Sequence, residues 1–359
     1  MDLILLAAGL VALLVGGELL VRGASRLAAL IGISPLIVGL TVVSFGTSAP
    51  ELAVSLQAAF SGFAGLTVGN IIGSNIYNVL LVLGAAAIIA PLLVQQQLIR
   101  LDVPLMIGAS LVFWAVALDG VVTFTEGGLM FGLLLVYLVF VWRVSRRERA
   151  DVVAEYAGEF GYRAAPGWRP KLINMALVGG GVLLLVAGAG WLVDGAVSLA
   201  SALGVSDLVI GLTIVAIGTS LPELTTSLVA AFRGERDIAV GNVVGSNIFN
   251  ILSVLALTAL VAPAGVAVSP VALEVDLPFM VAVAIACLPL FVTGRIIARR
   301  EGAFLLAYGL IYTAFVALTA YGAGLPPFTF LGLLVIAPLS MLVLVPALRR
   351  RVSGGRAAR

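Results

Sequence analysis

In a chain of 359 residues, 62% are hydrophobic and 11% are charged, under half the charge of an ordinary soluble domain, which is about 25%. Such a surface calls for lipid around it. The absence of histidine removes the commonest zinc ligand and the usual neutral-pH base, and the single cysteine, Cys287, leaves no internal disulfide, so zinc enzymes and histidine-dependent hydrolases are disfavoured.

Apolar stretches of the length that crosses a bilayer core, about 20 residues, recur through the chain. They predict eleven helices, at 2–21, 34–60, 66–90, 102–119, 122–142, 172–200, 206–232, 238–262, 272–293, 303–321 and 326–348. The first has no positively charged leader and is mirrored by 172–200, so it is read as part of the fold rather than as a signal peptide. The one long polar stretch, RVSRRERADVVAEYAGEFGYRAAPGWRP, reads as a linker too short for a folded domain. With the N-terminus outside and the C-terminus inside, all 20 Lys and Arg residues fall on the cytoplasmic face. The basic tail is then a topology anchor near anionic lipid, not a nucleic-acid site.

Residues 32–84 and 204–256 align without a gap at a shift of 172, and roughly 30 of about 53 positions are identical, which marks an internal duplication. GTSAPE and VGNIIGSNIYN in the first copy answer GTSLPE and VGNVVGSNIFN in the second. Five helices per copy place the second upside down relative to the first, the inverted repeat of many secondary transporters. The fold class expected is therefore an all-α polytopic membrane protein of two inverted five-helix repeats, a ten-helix core, plus one extra C-terminal helix. Its divisions are 1–143 (first repeat), 144–170 (cytoplasmic linker), 171–322 (second repeat) and 323–359 (extra helix and basic tail).

Glu51 and Glu223 lie inside long apolar spans with no Lys or Arg at the same depth. A carboxylate there costs several kcal/mol unless it is paired or serves a function. Each follows a proline, and Pro50 and Pro222 are expected to kink or unwind their helices and free carbonyls near Gly46, Thr47, Gly218 and Thr219 to line a cavity. Hydroxyls at Thr47, Ser48, Thr219 and Ser220 join Ser74 and Asn78, and Ser246 and Asn250, pairs four apart on one helix face. Asn75 and Asn247 point about 100° away and are read as helix-packing residues. An all-oxygen set with two carboxylates suits hard cations, and a flexible cage suits Ca2+ better than Mg2+. Many glycines, including Gly69, Gly73, Gly241 and Gly245, are read as small-residue packing positions.

The paired GTSxPE and GNxxGSNIxN motifs resemble those of the cation/calcium antiporter superfamily, in particular the prokaryotic sodium/calcium exchangers, over about residues 1–322. The resemblance implies an antiporter, not an enzyme, that exchanges Na+ for Ca2+ at four cation positions between the second, third, seventh and eighth helices. By motif matching it implies Glu51, Ser48, Thr47, Ser74 and Asn78 as ligands from one half and Glu223, Ser220, Thr219, Ser246 and Asn250 from the other, with the carbonyls of Ser44 and Ala216. It implies no cofactor, a monomer sufficient for transport, and the inner membrane of a prokaryote. Many calcium exchangers of this family carry aspartate at the position of Asn250, which leaves Na+, K+ and H+ coupling open. Two glutamates count −2, which one Ca2+ or two Na+ neutralise, and the four positions that the resemblance implies make room for a third Na+, so three Na+ per Ca2+ is expected, with two per Ca2+ as the rival. A cation channel would use an oligomer axis rather than inverted repeats, and an intramembrane hydrolase would have to do without histidine.

Overall fold

The computed structural model of the chain describes residues 2–145, 168–202 and 216–320. Ten helical stretches follow in chain order among them. They are α1 (Asp2–Ile31), α2 in two segments (Pro35–Thr47 and Ala49–Phe60), α3 (Leu66–Ile89), α4 (Leu98–Val116), α5 (Phe124–Ser145), α6 (Trp168–Ala202), α7 in two segments (Ala216–Thr219 and Leu221–Phe232), α8 (Arg236–Val261), α9 (Ala272–Val292) and α10 (Arg299–Ala320). Seven of these are single helices long and apolar enough to cross a membrane, and the bent α2 pair makes an eighth. The expected eleventh span at 326–348, the tail, most of the linker and the first part of the seventh span lie outside the described residues.

Two boundaries show how local sequence sets the elements. α1 runs to Ile31, ten residues past its expected end, because Ala24 and Ala28 continue its buried face beyond Arg22 and Arg26. It stops at Gly32, whose φ of 74° suits only a residue without a Cβ, while the N–H groups of Gly32 and Ile33 close on the Ala28 carbonyl. The chain re-enters helix at once, since Ser34 Oγ accepts from Ile37 N and Pro35 takes the first helical position.

α3 and α8 form the centre. In their most apolar stretches 78% and 89% of residues are buried, against 28% in α5 and in α6. The exposed faces of α1, α5 and α6 carry large apolar side chains such as Leu3, Leu10, Val136, Trp142, Leu183 and Trp191, as a lipid-facing surface requires. α1 and α6 run antiparallel along a seam of glycines seven apart. A Cβ on Gly9, Gly16 or Gly23 would come within 3.0 Å of the backbone at Gly188, Gly181 and Asn174, respectively. Gly241 and Gly245 likewise admit the backbone of α2 at Leu36 and Leu40, as expected of small-residue packing positions. Among the described residues nothing approaches Gly69 or Gly73.

Two short antiparallel ribbons tie distant parts of the chain together. β1 (Leu92–Leu93) pairs with β4 (Ile296–Ile297), and β2 (Val121–Val122) pairs with β3 (Val266–Ala267). α4 leads from β1 to β2, so the two ribbons cap opposite ends of the bundle. Arg299 completes the first cap by donating to the carbonyls of Ile88 and Ile89 at the end of α3.

Candidate functional site

The two glutamate helices break where proline dictates. Pro50 has no N–H for the Gly46 carbonyl, nor Pro222 for that of Gly218, and each proline sits in the first turn of the helix that follows the break. Ser48 (φ −78°, ψ 6°) and Ser220 (φ −87°, ψ 4°) occupy the joints. In α2 the two segments meet at 41°. Facing them, α3 and α8 each contain a π-helical turn that begins at Asn78 (Asn78–Val82) and Asn250 (Asn250–Leu255). Such turns widen a helix locally and frequent functional sites.

Glu51 and Glu223 are fully enclosed, each with 0% exposure. Glu51 Oε1 accepts from Ser74 Oγ at 3.4 Å, and Ser74 Oγ in turn accepts from Ser220 Oγ at 3.2 Å. Glu223 Oε1 accepts from Ser48 Oγ at 3.3 Å. The second oxygen of each carboxylate, Oε2, has no partner, and neither do Oδ1 of Asn78 and Oδ1 of Asn250, all of them buried. Among the described residues no basic side chain is paired with either glutamate. Burying a carboxylate without a counter-charge is unfavourable by several kcal/mol, so four unused oxygens in one enclosed polar region point to a positive occupant.

The hydroxyls expected from the sequence converge here by exchange between the two halves. Thr47 Oγ1 donates to Asn242 Oδ1 at 3.0 Å and lies 3.3 Å from Ser246 Oγ. Thr219 Oγ1 donates to Asn70 Oδ1 at 3.3 Å. The Ser44 carbonyl already accepts from Ser48 N, and Ala216 opens the described part of α7. Asn78 and Asn250 each donate across to the asparagine of the other copy, Asn247 and Asn75.

Asn70 and Asn242, absent from the sequence-based set, bind this arrangement together. Asn70 Nδ2 donates to the Glu51 carbonyl and to Ser55 Oγ. Asn242 Nδ2 does the same to the Glu223 carbonyl and Ser227 Oγ. Their signal was available, since each lies four residues before Ser74 or Ser246 and so on the same helix face. Among the described residues no group of three or more acidic, cysteine or histidine side chains gathers in one place, which leaves the two glutamates as the charged part of this centre.

Membrane-length helices wrapped around two enclosed, unpaired carboxylates define a polytopic membrane protein of the transporter class. Residues 1–143 and 173–319 match the family described as sodium/calcium exchanger protein, and the chain belongs to that family of antiporters, which are not enzymes. It is 32% identical to the sodium/calcium exchanger MaX1 of Methanosarcina acetivorans over 353 residues, covering 89% of this chain and 99% of that one. It is 39% identical to the inner membrane protein YrbG of Escherichia coli over 282 residues, 78% of this chain and 86% of that one. Among solved structures it resembles the sodium-calcium exchanger NCX_Mj soaked with Na+ and Ca2+, with a TM-score of 0.74, 31% identity, and coverage of 87% of this chain and 97% of that one.

Proposed function

We propose that the protein is a secondary active antiporter that exchanges Na+ for Ca2+ at a site built on Glu51 and Glu223. The observation that carries this reading is the set of four buried oxygens without a partner, Oε2 of both glutamates and Oδ1 of Asn78 and Asn250. Two carboxylates match the charge of one Ca2+ or of two Na+, and hard oxygen ligands suit both ions. Thr47, Ser48, Ser74, Thr219, Ser220 and Ser246 surround them and supply neutral oxygens, with the carbonyls of Ala216 and, once its present contact opens, Ser44 as further ligands.

Two inverted five-helix halves, 1–143 and 171–322, give the access change its geometry. The reading is supported by the repeat in the sequence and by the equivalence, at a shift of about 172 to 175 residues, of β1 with β3 and of β2 with β4. The site then lies near the bilayer midplane between the halves. The N-terminus is outside and the C-terminus inside, the orientation that keeps all 20 Lys and Arg residues cytoplasmic. The membrane is the inner membrane of a prokaryotic cell, and one copy suffices for transport.

The test is 45Ca2+ uptake into proteoliposomes under separately imposed Na+, K+ and H+ gradients. Uptake driven by outward Na+ is expected. Uptake driven by H+ alone, or uptake that needs K+, would move the protein to another branch of cation exchange, and uptake without any counter-ion would make it a channel.

A further inference from the structure

We propose that Asn75 and Asn247 are positioning residues that fix which end of the Asn78 and Asn250 amides faces the cation. This rests on the exchange reading above and extends it to two residues outside the ligand set. The four asparagines form a closed, reciprocal network across the interface between α3 and α8. Asn75 Nδ2 donates to the Asn247 carbonyl at 3.3 Å and to Met280 Sδ at 3.7 Å, and Asn247 Nδ2 donates to the Asn75 carbonyl at 3.2 Å and to Met106 Sδ at 3.5 Å. Both amide groups therefore have their nitrogen held against acceptors. Reversing either one would set its oxygen against a carbonyl and a thioether in a site that is 2% exposed, with the cost of unsatisfied buried polar groups.

With the nitrogen fixed, Oδ1 of Asn75 and of Asn247 must face the opposite helix, and an oxygen there accepts only from a donor. Asn250 Nδ2 meets Asn75 Oδ1 at 3.1 Å, and Asn78 Nδ2 meets Asn247 Oδ1 at 3.1 Å. The remaining amide atom of Asn78 and Asn250 is thus always the oxygen, and both are buried without a partner. Asn78 lies one helical turn beyond Ser74, whose hydroxyl bonds Glu51, so its free oxygen belongs to the helix face that meets the carboxylates. A bare asparagine at these positions could present Nδ2, a donor that repels a cation. The crosswise pair removes that choice.

The test is a double-mutant cycle on the full-length protein, read as equilibrium 45Ca2+ binding and its displacement by Na+. Asn78→Ala and Asn247→Ala should each raise the Ca2+ concentration for half-saturation about tenfold, and the double variant should be no weaker than either single one. Asn250→Ala with Asn75→Ala should behave in the same way. The uncrossed combination Asn78→Ala with Asn75→Ala should lose about a hundredfold, because it disables two separate ligands. A merely structural role predicts additive losses in every pair, so a crossed double variant that loses the product of its singles would overturn the inference, as would an Asn247→Ala variant with unchanged affinity. If an alanine variant is not recovered folded, Asn247→Ser and Asn75→Ser, which keep a small polar group, take its place in the cycle. Ca2+ binding that is absent in the unaltered protein, or that survives Glu51→Gln, would overturn the exchange reading together with this inference, whereas Glu51-dependent binding with additive crossed pairs overturns the positioning role alone.

Discussion

Glu51 and Glu223 stand at equivalent places in two copies of one motif, yet they meet different neighbours. Glu223 takes the Ser48 hydroxyl directly from across the interface, while Ser220, the counterpart of Ser48, gives its proton to Ser74 and reaches Glu51 only through it. Asn242 is fully enclosed, whereas Asn70 is half-buried. The same side chains in the same order are therefore held in two different arrangements, one in each half. On the proposed reading of two inverted halves, alternating access follows if the halves exchange these two arrangements and so turn the molecule to its other side. A ligand set that is chemically equal but geometrically unequal is then a working property of the site.

The comparison breaks most visibly if one glutamate is dispensable. Glu51→Gln and Glu223→Gln should each abolish exchange, since a desolvated divalent cation facing one carboxylate keeps an uncompensated charge, while the protein still inserts and folds. Sodium-driven 45Ca2+ uptake into proteoliposomes measures the loss, and size-exclusion chromatography in detergent checks the fold. Appreciable uptake in either variant would place the cation elsewhere.

The serines sharpen the comparison at the next level. In this arrangement Ser48 acts on Glu223 directly and Ser220 acts at one remove, and on the proposed alternating-access reading the roles exchange over a full cycle. Ser48→Ala and Ser220→Ala should accordingly raise the Ca2+ half-saturation of transport by similar factors, about three- to tenfold, as expected for the net contribution of one typical hydrogen bond. A large effect at Ser48 beside none at Ser220 would mean that the halves do not exchange arrangements.

The breaks at Ser48 and Ser220 were legible in the sequence because proline acts on its own helix, four residues back, and needs no tertiary context. The grouping of Ser74 with Asn78 was legible for a similar reason, the i, i+4 spacing of one face. The π-helical turns that begin at Asn78 and Asn250 were not, since one extra residue in a turn leaves no mark on a run of apolar spacing this short. Asn75 and Asn247 were read as packing residues from their direction alone, and they do pack, but their contact is an exchange of hydrogen bonds that only the juxtaposed helices reveal. The ribbons escaped notice because strands of two residues carry no period. The seven membrane-length helices followed from composition, which is insensitive to such detail.

The family resemblance implies an aspartate at the position of Asn250, and here both copies carry asparagine, Asn78 and Asn250. Asn250→Asp adds a third acidic oxygen beside two carboxylates. It should strengthen divalent binding by a few fold or give transport a steeper pH dependence, since like charges gathered in one site favour retention of a proton. Uptake titrated with Ca2+ between pH 6 and pH 9 distinguishes the two outcomes, and Asn78→Asp should give the same change if the halves are equivalent. Unchanged affinity together with an unchanged pH profile would place Asn250 outside the site.

Voltage dependence is set by the charge of the loaded site. Two ionised glutamates contribute a charge of −2, so one Ca2+ makes the loaded carrier neutral, two Na+ do the same, and a third Na+ leaves +1 to cross the low-dielectric interior. On the proposed reading neutral oxygens disperse that excess, and the unpartnered Oδ1 atoms of Asn78 and Asn250 are the candidates beside the two carboxylates. This favours three Na+ per Ca2+ over electroneutral exchange. One net charge moved through the whole field couples transport to voltage by about 2.3 kcal/mol per 100 mV, enough to move the balance point of the two gradients measurably. Sodium-driven uptake at two potentials clamped with K+ and valinomycin provides the test. A reversal point that shifts with potential supports three-for-one exchange. If the rate and the reversal point both ignore voltage, the two carboxylates alone set the count and the carrier moves two Na+ for each Ca2+.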